Sequence, residues 1–166
     1  MSGSPAERAF VGLGSNLDDP HAQLGRAFIA LDAISHTRLL RRSRLYRSEP
    51  WGLAAQPAFV NAVAELSTTL EPTALLEALL GIERAQGRLR GGERWGPRTL
   101  DLDLLVHGTR RLAEPGLVIP HPHLAERAFV LAPLAELDPD LVIPGHGRVA
   151  ALLARIDRSG CEPVGA

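Results

Sequence analysis

Residues 94–105 read Arg94-Trp95-Gly96-Pro97-Arg98-Thr99-Leu100-Asp101-Leu102-Asp103-Leu104-Leu105, and this stretch decides the fold. An arginine-bearing turn runs into a segment of strict alternation. As a strand, it puts Asp101 and Asp103 on one face and Leu100, Leu102 and Leu104 on the other. The leucine face can be buried, so the carboxylates must face solvent or a cation. Residues two apart on a strand have Cα atoms roughly 6.5–7 Å apart. Carboxylates so placed can both reach one divalent ion, or share a pair of ions about 3.5–4 Å apart. The other reading is an edge strand whose aspartates are solvated or paired with arginine. Two like charges side by side repel unless a cation lies between them. Arg88, Arg90, Arg94 and Arg98 all lie in the glycine-broken stretch just before, which favours a site for a polyphosphate.

Working outward, Ala9–Leu13 reads as a short buried strand. Gly12 and Gly14, where it ends, lack the third glycine of a dinucleotide fingerprint, so turn and helix-cap duty is expected of them. Asp18 or Asp19 with Pro20 then starts a helix, residues 20–33, spaced by Leu24, Ala27, Phe28 and Leu31. Thr37–Tyr46 reads as a strand and 47–58 as a loop holding Trp51. Phe59–Leu70 reads as a strand with Phe59, Asn61, Val63 and Glu65 on one face. Pro72 opens a helix that ends near Gly87. After the strand 100–106, Leu117–Ile119 precedes His121-Pro122-His123. A short helix runs through Arg127 and Phe129, Leu141–Ile143 forms one more short strand, and a helix spans 149–156. The order strand–helix–strand–strand–helix–strand predicts an α+β fold. Its core is a ferredoxin-like antiparallel sheet with helices on one face and a C-terminal helical extension. One domain over residues 9–157 is expected, with loose ends at 1–8 and 158–166.

At 166 residues with net charge −1, nothing in the charge balance points to long nucleic acid or an anionic membrane. No apolar run approaches the ~20 residues of a membrane span. With one cysteine the chain forms no internal disulfide, and a cytoplasmic location is expected. All 18 basic residues are arginine. A Walker loop, a protein kinase and a Schiff-base enzyme all depend on lysine and are excluded. Any phosphate clamp must be built from arginine, histidine, backbone amides and metal.

Two further groups stand out. His121-Pro122-His123 with Arg127 is a second charged constellation, either a surface turn or a phosphate contact. Phe59 and Asn61 share a strand face, one able to stack on a flat ring and the other to read its edge. Core packing is the competing reading for Phe59. Trp95 either anchors its loop or caps a bound ring.

The chain resembles the 6-hydroxymethyl-7,8-dihydropterin pyrophosphokinases of folate biosynthesis. The matching residues are Gly12–Leu17, Tyr46-Arg47-Ser48 with Pro50, Gln56-Pro57 and Phe59–Ala62. They continue through Glu83, Gly87-Arg88, Glu93–Leu105, and Pro120-His121 with Arg127 and Phe129. The resemblance implies transfer of an intact pyrophosphoryl group from ATP to a pterin hydroxymethyl group, with AMP released. It also implies two Mg²⁺ ions on Asp101 and Asp103, with Arg88 and Arg98 stabilising the transferring group. ATP is assigned Glu83, Arg90, Trp95, Arg98, Leu104, His121 and Arg127. The pterin is assigned Ser48, Trp51, Phe59, Asn61, Trp95 and Phe129. Small-molecule substrates and a monomer, with no nucleic acid or membrane partner, complete the expectation. Two other readings compete with it: a nucleotidyl-transfer domain of the polymerase-palm type, and a non-enzymatic RNA-binding module of ferredoxin-like fold. The first would need a basic groove, and the second aromatics where the aspartates stand.

Overall fold

Strand β1, Glu7–Ser15, is apolar on both faces and sits inside the sheet. A computed structural model describes residues 5–17, 19–48, 58–86 and 100–164. In it β1 pairs antiparallel with β4 (Phe59–Thr68) on one side and β5 (Asp101–His107) on the other. β4 in turn pairs antiparallel with β2 (Thr37–Arg42) along its second half and with β3 (Tyr46–Ser48) along its first. The expected single strand over 37–46 is therefore two. The break falls at Ser43, whose N–H donates to Val63 O while its hydroxyl accepts from Val63 N–H, both at 2.9 Å.

Two helices lie on one face. Helix α1, Pro20–Asp32, starts as the sequence predicts, with Pro20 in the first turn and Asp19 accepting from the Ala22 N–H. Helix α2, Pro72–Ala85, buries Leu75, Leu79 and Glu83 along one stripe. With Ala9, Val11, Leu13, Val60, Ala62, Ala64, Leu66, Leu100, Leu102 and Leu104 these helices close the first core. Leu100 is fully buried, and each such leucine contributes about 1.5–3 kcal/mol over an exposed one.

The expectation that helices cover one face only does not hold. A hairpin of β6 (Leu112–Glu114) and β7 (Leu117–Ile119) leads to a 3₁₀ turn at Leu124–Glu126 and then to helix α3, Ala128–Leu137. Helix α3 and, after the two-residue strands β8 (Val142–Ile143) and β9 (Gly147–Arg148), helix α4 (Val149–Ala154) pack on Phe10, Val63, Leu105 and Val106, on the opposite face. Helix α3 buries Val130, Leu131, Ala132, Leu134 and Leu137, so it needs a second apolar surface, and Phe10 and Val63 supply it. Neither end is wholly loose: β1 begins at Glu7, and β10 (Cys161–Pro163) pairs antiparallel with β3. The resulting strand order is β10-β3-β4-β1-β5, with β2 beside β4.

Candidate active site

Helices α3 and α4 cover one end of the second sheet face. At its other end, alternation brings Asp101 and Asp103 of β5, Gly12 and Gly14 of β1, and Phe59 and Asn61 of β4 onto the same side. The register sets Gly12 opposite Asp103, and Gly14 between Asp101 and Asn61. Both carboxylates are half-buried, and the strand alternation read from the sequence is the one observed. The glycines are strand residues rather than turn residues, because a side chain there would fill the floor between the two flanking strands. A Cβ on Gly14 would lie 2.9 Å from Asn61 Nδ2, a collision. On Gly12 it would meet only the Leu105 methyls at 3.5 Å.

Asn61 is buried, as is Ser48 of β3, whose hydroxyl donates to Asn61 Oδ1 at 2.6 Å. That bond occupies the carbonyl end of the amide and turns the Nδ2 donors toward Gly14. The strand carrying Ser48 is itself anchored, because the Tyr46 hydroxyl donates to Glu136 Oε1 of α3 at 2.7 Å.

The segment after β7 lies against the outer edge of β5. The His121 N–H donates to Leu105 O at 2.9 Å, and the His123 N–H donates to His121 Nδ1 at 3.2 Å. With Nδ1 accepting, the neutral ring carries its proton on Nε2, the atom 4.0 Å from Asp103 Oδ1. Burial first, then the charges of Arg127 and His123, pull the His121 pKa down to about 4. His121 is thus a neutral hydrogen-bond donor at neutral pH. Between pH 6.5 and 4 the unfolded chain binds a proton at this position that the folded chain does not. The metal-free protein therefore loses stability as pH falls through that window, by at most about 3 kcal/mol from this residue. Urea titrations at pH 7 and pH 4.5 should show His121→Asn flattening that loss. An equal slope in the variant would refute the assignment.

Arg127 lies with its guanidinium carbon 5.6 Å from the centre of the Phe129 ring, and both residues are half-buried beside the second core.

The family model described as 7,8-dihydro-6-hydroxymethylpterin-pyrophosphokinase (HPPK) matches residues 10–139, from β1 through α3. The chain belongs to the HPPK family. Curated relatives agree with that membership. A "2-amino-4-hydroxy-6-hydroxymethyldihydropteridine pyrophosphokinase" of Pseudomonas aeruginosa is 50% identical over 94% of this chain and 96% of its own. The protein of the same name from Methylorubrum extorquens is 47% identical over 95% of this chain and 98% of its own. Among solved structures, the HPPK-DHPS of Plasmodium falciparum with pteroate matches 93% of this chain with a TM-score of 0.70 at 12% identity, a likeness of fold alone. This chain spans 43% of that longer one.

Two of the residues expected at ATP have buried side chains. Leu104 turns its side chain into the first core, 4% exposed and opposite the carboxylates, so only its backbone is available to a ligand. Glu83 is 3% exposed, and its Oε2 accepts from the Leu102 N–H at 2.7 Å. β5 is the last strand of the sheet on this side, so the Leu102 N–H points away from β1, and Glu83 covers that edge. This contact with the strand falls between the two aspartates. Arg88, Arg90, Trp95, Arg98 and Trp51 lie outside the described residues. Among the described residues no group of three or more His, Cys, Asp or Glu forms a metal cluster. A cation here would rest on the aspartate pair and on its substrate's oxygens.

Proposed function

We propose that this HPPK family member transfers the terminal pyrophosphoryl group of ATP to the hydroxymethyl oxygen of 6-hydroxymethyl-7,8-dihydropterin in folate biosynthesis, and that it does so on the Asp101/Asp103 face. The alcohol oxygen bonds to the β-phosphorus as the bond from that phosphorus to the α–β bridging oxygen breaks. AMP leaves with that oxygen, and the alcohol proton passes to solvent. The observation that carries the reading is a pair of adjacent rows across three strands, Asp101–Gly14–Asn61 and Asp103–Gly12–Val63. The pair sets two carboxylates, a glycine floor and a pre-oriented carboxamide side by side in a chain of this family.

The donor set fits Mg²⁺, since both aspartates offer hard oxygens and face glycines that leave space beside them. Asp101 and Asp103 would hold the Mg²⁺, two ions in our reading, whose charge offsets that of the triphosphate. His121 donates through Nε2, and Arg127 supplies positive charge beside it; we assign both to ATP phosphates. Glu83 keeps β5 in register so that both carboxylates face the same way. Asn61 offers its Nδ2 donors to an acceptor on the pterin edge, and Phe59 and Phe129 offer ring faces for stacking. By family resemblance Arg88 and Arg98 would stabilise charge on the transferring group, loops 47–58 and 88–98 would close over the substrates and carry Arg90 and Trp95 inward, and the backbone around Ser48 and Trp51 would read the pterin edge.

We also read the core as ferredoxin-like and the protein as a single-domain cytoplasmic monomer. In support of the fold, β5-β1-β4-β2 is antiparallel throughout, with α1 and α2 in the two crossovers.

³¹P NMR of a reaction with MgATP and the reduced pterin tests the chemistry. AMP and a pterin diphosphate should appear in equal amounts. ADP with a pterin monophosphate would overturn the reading. Gly14→Ala tests the floor. It should raise the KM for pterin about tenfold by displacing the Asn61 amide, while the KM for ATP holds. A pterin KM equal to wild type would place the ring elsewhere.

A further inference from the structure

We infer that β10 is a working part of the pterin subsite, splinting β3 so that Ser48 holds the Asn61 amide with its donors facing the ring. The inference rests on the pterin assignment just proposed.

β3 has three residues, held by β4 on its inner side and by β10 on its outer side. Its first residue is fixed by Tyr46–Glu136, but its last, Ser48, has no such anchor in α3. What lies outside Ser48 is Cys161. The register runs Phe59–Ser48–Cys161 straight across three strands, so all three side chains share the site face.

Several local features direct the chain to this place. After α4, Asp157 Oδ1 accepts from the Ser159 N–H at 2.8 Å and from its hydroxyl at 2.7 Å, which makes a tight turn. Gly160 then takes a φ of +82°, the left-handed region that glycine enters without strain. Beyond β10 the Val164 N–H donates to Leu45 O at 2.8 Å. By antiparallel alternation, Glu162 and Arg47 form the next hydrogen-bonded pair. Pro163 falls where its missing N–H would point away from β3, the position a strand tolerates. The turn, the glycine and the proline are all consistent with one register, and that register sets Cys161 outside Ser48, whose hydroxyl holds Asn61 in the adjacent row.

Two variants separate this role from general stability: the chain ended after Asp157, and the full chain with Glu162→Pro, which removes one ladder N–H. Both should raise the KM for the reduced pterin about tenfold and leave kcat and the KM for MgATP within about twofold of wild type. Glu162→Ala keeps the ladder N–H and should behave as wild type. Asn61→Ala, measured alongside, should raise the pterin KM as well. If Asn61→Ala raises it and neither β10 variant does, β10 has no part in the subsite. A parallel change in both KM values, kcat and melting temperature would reduce β10 to a structural strand and also overturn the inference. If Asn61→Ala itself leaves the pterin KM unchanged, the pterin assignment fails first, and this inference with it.

Discussion

Asp103→Asn should abolish turnover, lowering kcat on the order of 10³-fold or more, while the folded protein keeps its melting temperature. Asp103 is 39% exposed and takes no part in the leucine core, so the exchange removes charge and almost no packing. Asparagine has the same shape and still presents an oxygen to His121 Nε2. Taking one of two like charges off adjacent same-face positions relieves repulsion in the metal-free protein. In the reaction the same change withdraws an ionised oxygen from the cation, and charge stabilisation of that kind is commonly the largest single contribution to a rate. Steady-state kinetics and thermal melts on one preparation check both halves. An inactive variant that is also unfolded would make Asp103 a structural residue. A folded variant with near-normal kcat would remove it from the mechanism.

Glu83→Ala should be the most damaging substitution on the helical side. It leaves the Leu102 N–H buried without its acceptor, at a cost of about 1–3 kcal/mol. It also frees the edge of β5 between the two aspartates, so kcat should fall about 10²-fold although Glu83 lies under the strand. Glu83→Gln keeps an oxygen in reach of Leu102 and should recover most of the stability. Denaturant unfolding and kinetics of the pair give the answer. If Glu83→Ala loses ATP affinity alone, with stability and kcat intact, the residue touches nucleotide and not the strand.

The aspartate face was legible because alternation in β5 admits one solution: Leu100, Leu102 and Leu104 had to be buried together. The cap at Asp19-Pro20 and the stripe on α1 were equally direct. Gly12 and Gly14 were read as a turn because glycine usually interrupts structure. Their spacing of two, on a strand facing Asp101 and Asp103, was the available signal for a close approach. Glu83 falls four residues after Leu79 and eight after Leu75, on the buried stripe of α2. An acid at a core position announces a buried partner, but that partner is a backbone N–H some twenty residues on and invisible to local patterning. The second core was missed because Pro133 interrupts the apolar run of α3 and makes it look short. β10 was missed because three polar-flanked residues carry no periodicity. Only the pairing with β3 defines them as a strand.

The placement of the reaction on this face is tested most directly by counting ions. Mn²⁺ titrated into the protein with a non-hydrolysable ATP analogue and pterin, and followed by electron paramagnetic resonance, reports tight sites per chain. Two tight sites are expected in the wild type, with at least one lost in both Asp101→Asn and Asp103→Asn while each variant stays folded. Unchanged stoichiometry and affinity in the two variants would contradict the aspartate pair as the metal-holding centre.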